Sequence, residues 1–155
     1  MNLKNNIIEV VPKLRNVEPG DIDDLFEWRN HPEIRKNSFN TNPISRNEHE
    51  KWFNEKTEDP LTTIYIACCG DVKIGSIRFE NKDNKVIKVS VMLNPDFFGK
   101  GFGVEVIKLG TEKFVSEKHP ERPLIAEIKK DNIASIKAFQ GAGFKQSYLT
   151  FIYSK

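Results

Sequence analysis

Three glycines at alternate positions surround a lysine in the stretch "FFGKGFGVEV", residues 97–106. Gly99, Gly101 and Gly103 let a ligand approach the backbone closely, and an amphipathic helical pattern follows at once. The first amide groups of a helix have no partner within the helix, and the positive end of its dipole lies there. The segment therefore indicates binding of an anion such as a pyrophosphate group. A glycine-rich turn that only permits a sharp bend between strand and helix is the alternative.

Two common nucleotide-binding loops do not fit this segment. A Walker loop has Ser or Thr directly after its lysine, whereas Gly101 follows Lys100 here. A dinucleotide fingerprint needs a third glycine, and that position is Val104 or Val106, depending on which glycine begins the motif. The segment also follows a strand of a predicted hairpin series rather than opening a βαβ unit.

A second segment, "AEIKKDNIASIKAFQGAGF" at residues 126–144, follows in the form strand, asparagine, helix and Gly-Phe. Together the two segments resemble the GNAT acyltransferase family, firmly from the fourth strand onward and only by element order before it. The resemblance implies the GNAT acyl-CoA N-acyltransferase fold and acetyl-CoA as co-substrate. In the family, the backbone amides of the glycine segment hold the pyrophosphate of the coenzyme. The splayed end of the fourth strand would contact pantetheine and the thioester oxygen. The implied coenzyme-binding residues are Met92, Leu93, Asn94, Phe98, Gly99, Lys100, Gly101, Phe102, Gly103, Val104, Asn132, Ser135 and Phe139.

Two positions depart from the family pattern. Phe98 stands where the family has Gln or Arg, so one polar contact of the loop is missing. Phe139 stands where many members have a tyrosine that protonates the departing thiolate. Tyr148, Tyr153 or a water molecule are the alternatives for that proton.

Acetyl transfer to an amine requires a neutral amine, and a carboxylate or imidazole could accept its proton. Glu127 lies five residues before Asn132, where several members of the family carry a glutamate beside the acceptor. It is therefore the predicted catalytic base. His49 is the rival, since imidazole titrates in the useful range, although a lone histidine on a helix is more often a surface residue.

The resemblance implies that the first helices and the loop between them build the acceptor site. The residues concerned are Trp28-Arg29-Asn30, Arg35, Ser38, Pro43-Ile44, His49 and Trp52-Phe53. This combination resembles the subgroup that acetylates UDP-linked 4-amino sugars in the bacterial pseudaminic-acid pathway. Arginines can bind a diphosphate with forked donors, and Trp28 or Trp52 could stack on uracil. The implied acceptor-binding residues are Arg29, Asn30, Arg35, His49 and Trp52. A ribosomal-protein-type N-terminal acetyltransferase and a non-catalytic acyl-CoA-binding domain are the alternatives.

The elements that must position these residues follow an α+β order. A strand at "KLRNVEP" precedes a helix that "NHPE" interrupts, and Ser45 with Glu48 forms the capping box of the next helix. Strands "TTIYIACC", "VKIGSIRF" and "KVIKVSVML" then form antiparallel hairpins. A long helix from Gly103, a strand "PLIAEIK", a helix from Asn132 and a final strand "FKQSYLTFIYS" complete a mixed, mostly antiparallel sheet flanked by helices.

Composition narrows the function classes. The 155 residues predict one domain, 1–155, and a net charge of +2 gives little support to nucleic-acid binding. The first residues lack a signal-peptide pattern, and no apolar run could span a bilayer. The only cysteines, Cys68 and Cys69, are adjacent, which disfavours a disulfide or a metal site. We therefore expect a cytoplasmic protein without a metal. The resemblance implies a small-molecule substrate, and a homodimer is left open.

Overall fold

The computed structural model describes residues 11–148 and 151–153, and a five-stranded mixed sheet forms its centre. The strands lie across the sheet in chain order: β1 (Lys13–Asn16), β2 (Thr62–Cys69), β3 (Val72–Glu80), β4 (Ile87–Leu93) and β5 (Leu124–Ile125). Strands β1 to β4 pair antiparallel, and β5 runs parallel to β4. The predicted α+β class and mixed sheet are therefore confirmed.

Helices cover the sheet: α1 (Ile22–Asn30), α2 (Pro32–Asn37), α3 (Arg46–Glu58), α4 (Phe102–Lys118) and α5 (Ile133–Gly141). The predicted interruption before Pro32 is confirmed, since His31 has extended backbone angles between α1 and α2. The capping box also forms: Ser45 Oγ accepts from the Glu48 amide at 3.2 Å, and Glu48 Oε2 accepts from the Ser45 amide at 2.7 Å. The short helix α2 was not predicted.

Two apolar cores lie on opposite faces of the sheet, because neighbouring residues of a strand point to opposite sides. On one face, Tyr65 of β2 packs with buried residues of α4 and α5, among them Val106 and Phe139. On the other face, Ile66 packs with Leu25 and Trp28 of α1 and with Phe53 of α3. The helices on the two faces thus bracket strands β2 to β4.

Close packing sets the position of α4 on the sheet. A Cβ atom added at Gly110 would lie 2.6 Å from Cγ2 of Ile77 on β3, a distance that real Cβ atoms do not reach. Glycine at this point therefore lets the helix axis approach the strand. The loop that begins α4 is held in a fixed place relative to the end of β4.

Two strand predictions need correction. The strand predicted over 123–129 is limited to Leu124–Ile125, because β5 separates from β4 directly afterwards. The final strand predicted from residue 144 is wrong for 144–148 and 151–153, which contain no strand. Tyr148 and Tyr153 there are 69% and 87% exposed, so their β-propensity lacks the half-buried surface that gives it effect. The expectation that the first residues lack a signal peptide concerns residues 1–10, which lie outside the described part of the chain.

Candidate active site

A cleft opens where β4 and β5 separate. The ladder between them has two residue pairs, Ile87–Leu124 and Lys88–Ile125. Beyond these pairs, residues 89–93 of β4 and 126–128 after β5 line two adjoining cavities. On its other side β4 stays paired with β3 as far as Leu93. Backbone groups on one edge of β4 therefore face the cleft.

The splayed end does not extend to Asn94. Its amide donates to the Ile74 carbonyl at 2.7 Å and its side-chain Nδ2 donates to the Lys73 carbonyl at 2.9 Å. Both bonds hold Asn94 toward β3, and it lines neither cavity. Met92 and Leu93, by contrast, do line the cleft.

The first cavity, which we call the loop cavity, has a volume of about 480 Å³ and lies at the start of α4. Gly99 and Gly101 adopt positive φ angles of 71° and 81°, with open space where a Cβ would point. Gly101 is the N-cap of α4 and supplies no side-chain capping bond. The open space and the uncapped amides fit an anionic group. Residues of the glycine segment that line the cavity are Phe97, Phe98, Gly99, Gly101, Phe102, Gly103 and Val104.

Lys100 is the predicted loop residue outside this lining. Its Nζ lies 5.5 Å from the centre of the Phe97 ring. Phe98 is 38% exposed, and its ring meets the edge of His31 at 6.0 Å between centroids. The polar groups that the loop presents to this cavity are therefore those of its backbone.

Asn132 and Ser135 lie where the two cavities meet, since both residues line both cavities. Asn132 caps α5, and its Oδ1 accepts from the Ser135 amide at 3.2 Å. Phe139, one turn further along α5, is 5% exposed and packs edge-on against Phe144 at 5.1 Å. The start of α5 is thus fixed beside the junction.

The second cavity, which we call the floor cavity, has a volume of about 470 Å³. Its floor is formed by three cross-strand pairs of β3 and β4 on the face toward α1 and α3: Ser76–Met92, Arg78–Ser90 and Glu80–Lys88. Its walls come from α1, residues 37–40 with Ile44, α3, residues 126–128 and α5. The floor is polar and charged, which distinguishes this cavity from an apolar core.

Arg29 of α1 lines the floor cavity with part of its guanidinium unpaired. Nη2 donates to the Asn40 carbonyl at 2.8 Å, whereas Nη1 is buried and has no hydrogen-bond partner among the described residues. Burial and the neighbouring charge of Arg35 lower the pKa of Arg29. Asp24, an acidic residue of the same helix, pairs with Lys73 at 2.7 Å and not with Arg29. A buried donor without an acceptor is well suited to an incoming anion.

Two further predicted residues hold the loop over the floor cavity and do not line it. Arg35 Nε donates to the Thr41 carbonyl at 3.2 Å. Asn30 exchanges two hydrogen bonds with the backbone of Ile44, at 2.8 and 3.0 Å. Their hydrogen bonds connect α1 and α2 to the backbone of Thr41 and Ile44, so they position the cavity wall without lining the cavity.

His49 is buried, against the expectation of a surface residue, because α3 turns this face toward α1. It is 1% exposed, and its Nε2 lies 2.8 Å from the Ile22 carbonyl, so Nε2 carries the hydrogen. Burial lowers the pKa of His49, which favours the neutral ring. Its ring stacks on Trp52 at 5.6 Å, and both residues line the floor cavity. Trp28 is buried in the core instead.

Glu127 reaches the floor cavity from the strand side of the cleft. Its Oε1 lies 3.6 Å from Nζ of Lys88 across the gap between β4 and β5, and its side chain is 45% exposed. Because it is open to solvent and adjoins the cavity, it can exchange a proton with water.

The sequence matches the acetyltransferase (GNAT) domain family over residues 13–145. The chain belongs to the GNAT acetyltransferases. As a member it is an acetyl-CoA-dependent N-acetyltransferase, and the predicted family, fold and co-substrate are confirmed. Among the described residues, no group of three or more His, Cys, Asp or Glu side chains could hold a metal ion.

Individual relatives agree with this assignment. The acetyltransferase PseH of Campylobacter jejuni is 28% identical over 131 residues, 83% of this chain and 81% of PseH. Spermidine N-acetyltransferase of Vibrio cholerae, solved with CoA and spermine, has a TM-score of 0.79 at 18% identity and covers 89% of this GNAT chain and 83% of its own. AAC(6')-Ib with ribostamycin and coenzyme A has a TM-score of 0.74 at 20% identity, over 88% and 84%. The two structures show a shared fold.

Sequence reasoning missed the floor of this GNAT enzyme's second cavity. Arg78, Glu80, Lys82 and Lys88 all line it, and none was predicted. The available signal was the alternation of polar Ser76, Arg78 and Glu80 along β3, which places them on one face of the strand.

In the part of the chain that the structure describes, no helix is long and apolar enough to cross a membrane.

Proposed function

We propose that the acceptor is a nucleotide-linked aminosugar, with acetyl transfer to the 4-amino group of a UDP-linked amino-deoxysugar of the pseudaminic-acid type. The observation that carries this proposal is the buried, unpartnered Nη1 of Arg29 in the floor cavity. A diphosphate offers such a donor a charged acceptor, and Trp52 lines the same cavity as an aromatic side chain that uracil could contact. The similarity to PseH agrees with this acceptor class.

The coenzyme is proposed to lie in the loop cavity. Backbone amides of residues 98–104 would hold its pyrophosphate, since helix α4 begins there without a side-chain cap. When bound, acetyl-CoA supplies a thioester-activated acetyl group. Asn132 and Ser135, at the junction of both cavities, would orient the two substrates toward each other.

Glu127 is proposed as the base that accepts the proton of the acceptor amine. Its side chain is 45% exposed at the cleft, whereas the Nε2 hydrogen of His49 is directed to the Ile22 carbonyl. A proton taken by Glu127 can leave directly to solvent.

Steady-state kinetics with Arg29→Ala test the acceptor. Removing the guanidinium should raise the KM for a UDP-linked 4-amino sugar roughly tenfold or more, because a charge-assisted contact is lost. The KM for acetyl-CoA should stay unchanged. Arg46→Ala is the control, since Arg46 pairs with Asp23 and Glu50 at the surface and lines neither cavity.

Product inhibition separates the acceptor classes. Free UDP should compete with the sugar and not with acetyl-CoA. Acetylation of a peptide N-terminus, together with an absence of UDP competition, would contradict the aminosugar proposal and indicate an N-terminal acetyltransferase.

A further inference from the structure

Glu80 is a buried carboxylate at the end of β3 that lines the floor cavity. It is 3% exposed and is surrounded by three cationic side chains. Lys56 Nζ lies 3.0 Å and Lys82 Nζ 3.3 Å from its Oε2, and Arg78 Nε donates to its Oε1. Buried ion pairs contribute little net stability after desolvation, so stability alone is a weak reason for this cluster.

Arg78 is held in one orientation by two contacts. Its Nε is bound to Glu80, and its Cζ lies 5.2 Å from the centre of the Trp52 ring. Within the described residues, no acceptor is hydrogen-bonded to its terminal nitrogens, Nη1 and Nη2. A guanidinium with one edge bound and one edge available presents a forked pair of donors.

The ion-pair cluster around Glu80 is positive overall although it contains a carboxylate. One negative charge on Glu80 faces three positive charges, on Lys56, Arg78 and Lys82, so the sum is +2. Burial opposes ionisation of Glu80, but the three cations outweigh it and lower its pKa to about 2. Glu80 therefore remains charged near neutral pH and can hold Arg78 continuously.

We infer that Glu80 is a positioning residue, which fixes Arg78 against Trp52 so that its terminal nitrogens receive a phosphate group of the acceptor. The inference rests on the proposed nucleotide-linked acceptor. The sequence assigned a phosphate contact to Arg35, which lines neither cavity. The inference assigns that contact to Arg78, which lines the floor cavity. Lysine at position 78 would keep the charge and lose the fork.

Calorimetric titration of the full chain with UDP tests the inference. Glu80→Gln should weaken UDP binding roughly tenfold, because Arg78 loses the contact that orients it. Arg78→Gln should weaken it at least as much. In the Arg78→Gln background, adding Glu80→Gln should cause no further loss, since Glu80 acts through Arg78. Affinity for acetyl-CoA should remain the same in all variants.

Asp21→Asn is the matched control. Asp21 is also buried, at 1% exposure, and also pairs with two cations, Arg15 at 2.8 Å and Lys73 at 2.9 Å, but it lines neither cavity. The Asp21→Asn variant should have a lower midpoint of thermal unfolding than the wild type and the same affinity for UDP. Glu80→Asp keeps the charge, shortens the reach to Arg78 and provides the same test if Glu80→Gln does not fold.

The outcomes distinguish this inference from the proposed function. Absence of UDP binding to the wild-type chain would overturn the acceptor proposal itself. UDP binding to the wild type with equal affinity for Glu80→Gln would overturn the positioning role alone. Additive losses in the double variant, or an equal loss in Asp21→Asn, would also overturn it.

Discussion

Burial decides which polar side chains of the site can exchange protons. His49 has its Nε2 hydrogen on the Ile22 carbonyl and its Nδ1 buried without a partner in the described chain. A neutral ring in this position can accept a hydrogen bond, but the residue is only 1% exposed. The side chain of Glu127, by contrast, is 45% exposed beside the cavity. The carboxylate is therefore the stronger candidate for the base.

Glu127→Gln should lower turnover on the order of a hundredfold, with little change in acetyl-CoA affinity, because the amine loses its proton acceptor. The loss should be largest at low pH, where the acceptor is mainly ammonium. A pH profile of kcat/KM measures it. Glu117→Gln is the control, since Glu117 pairs with Lys113 and with the Tyr65 hydroxyl and lines neither cavity. Equal profiles for Glu127→Gln and wild type would exclude this base.

At the scale of elements, α4 and α5 each contribute their first turn to the site. Gly101 caps α4 beside the loop cavity, and Asn132 caps α5 at the junction of the two cavities. Helix α4 is held against β3 by the close approach at Gly110, and α5 packs on α4 where Gly103 faces Ala138. The backbone amides thus keep their positions without help from a ligand, which is a requirement for preorganised binding.

Gly101→Val should weaken acetyl-CoA binding roughly tenfold or more, because the new side chain fills the space that an anion would occupy. UDP affinity should not change. Gly70→Val is the matched control: Gly70 also has a positive φ, 60° against 81°, and open space at its Cβ, but it lies in the β2–β3 hairpin. Equilibrium binding of acetyl-CoA measures the difference. Unchanged affinity in a folded Gly101→Val protein would remove the loop from the coenzyme site.

Across the whole molecule, two buried carboxylates connect distant parts of the chain. Asp21 joins β1 to β3 through Arg15 and Lys73, and Glu80 joins β3 to α3 through Lys56. Burial opposes the charge of both carboxylates, and their cationic partners overcome it. The pKa of Glu80 falls to about 2, and that of Asp21 falls well below its usual range.

Stability should therefore depend on pH in the acid range. A carboxylate whose pKa is lowered by folding stabilises the protein above its unfolded pKa, and that contribution disappears as pH falls through the folded pKa. Urea unfolding should show the free energy of unfolding declining from about pH 5 toward pH 2. Asp21→Asn and Glu80→Gln should each lower it by about 2 kcal/mol at pH 7, with curves that converge on the wild type in acid. Curves that stay parallel down to pH 2 would contradict this assignment.

The sequence by itself determined the features that depend on neighbouring residues. The glycine segment, the capping box at Ser45, the break before Pro32 and the Asn132 cap are local, because each depends on backbone angles and bonds within a few residues. Two of these segments, the glycine segment and the segment around Asn132, carried the resemblance to the GNAT family. For this reason the family, the fold class and the co-substrate were predictable.

Only the tertiary structure decided which side chains share the floor cavity. Trp28 and Trp52 are equivalent in sequence terms, but α1 turns one into the core and α3 turns the other into the cavity. Arg78 and Glu80 appear in the sequence only as polar alternation, and the packing of α1 and α3 on that face of the sheet brings them into the lining of the floor cavity. The strand predicted from residue 144 also depended on tertiary packing: residues 144–148 and 151–153 contain no strand, and Tyr148 and Tyr153 lack the half-buried surface on which β-propensity depends.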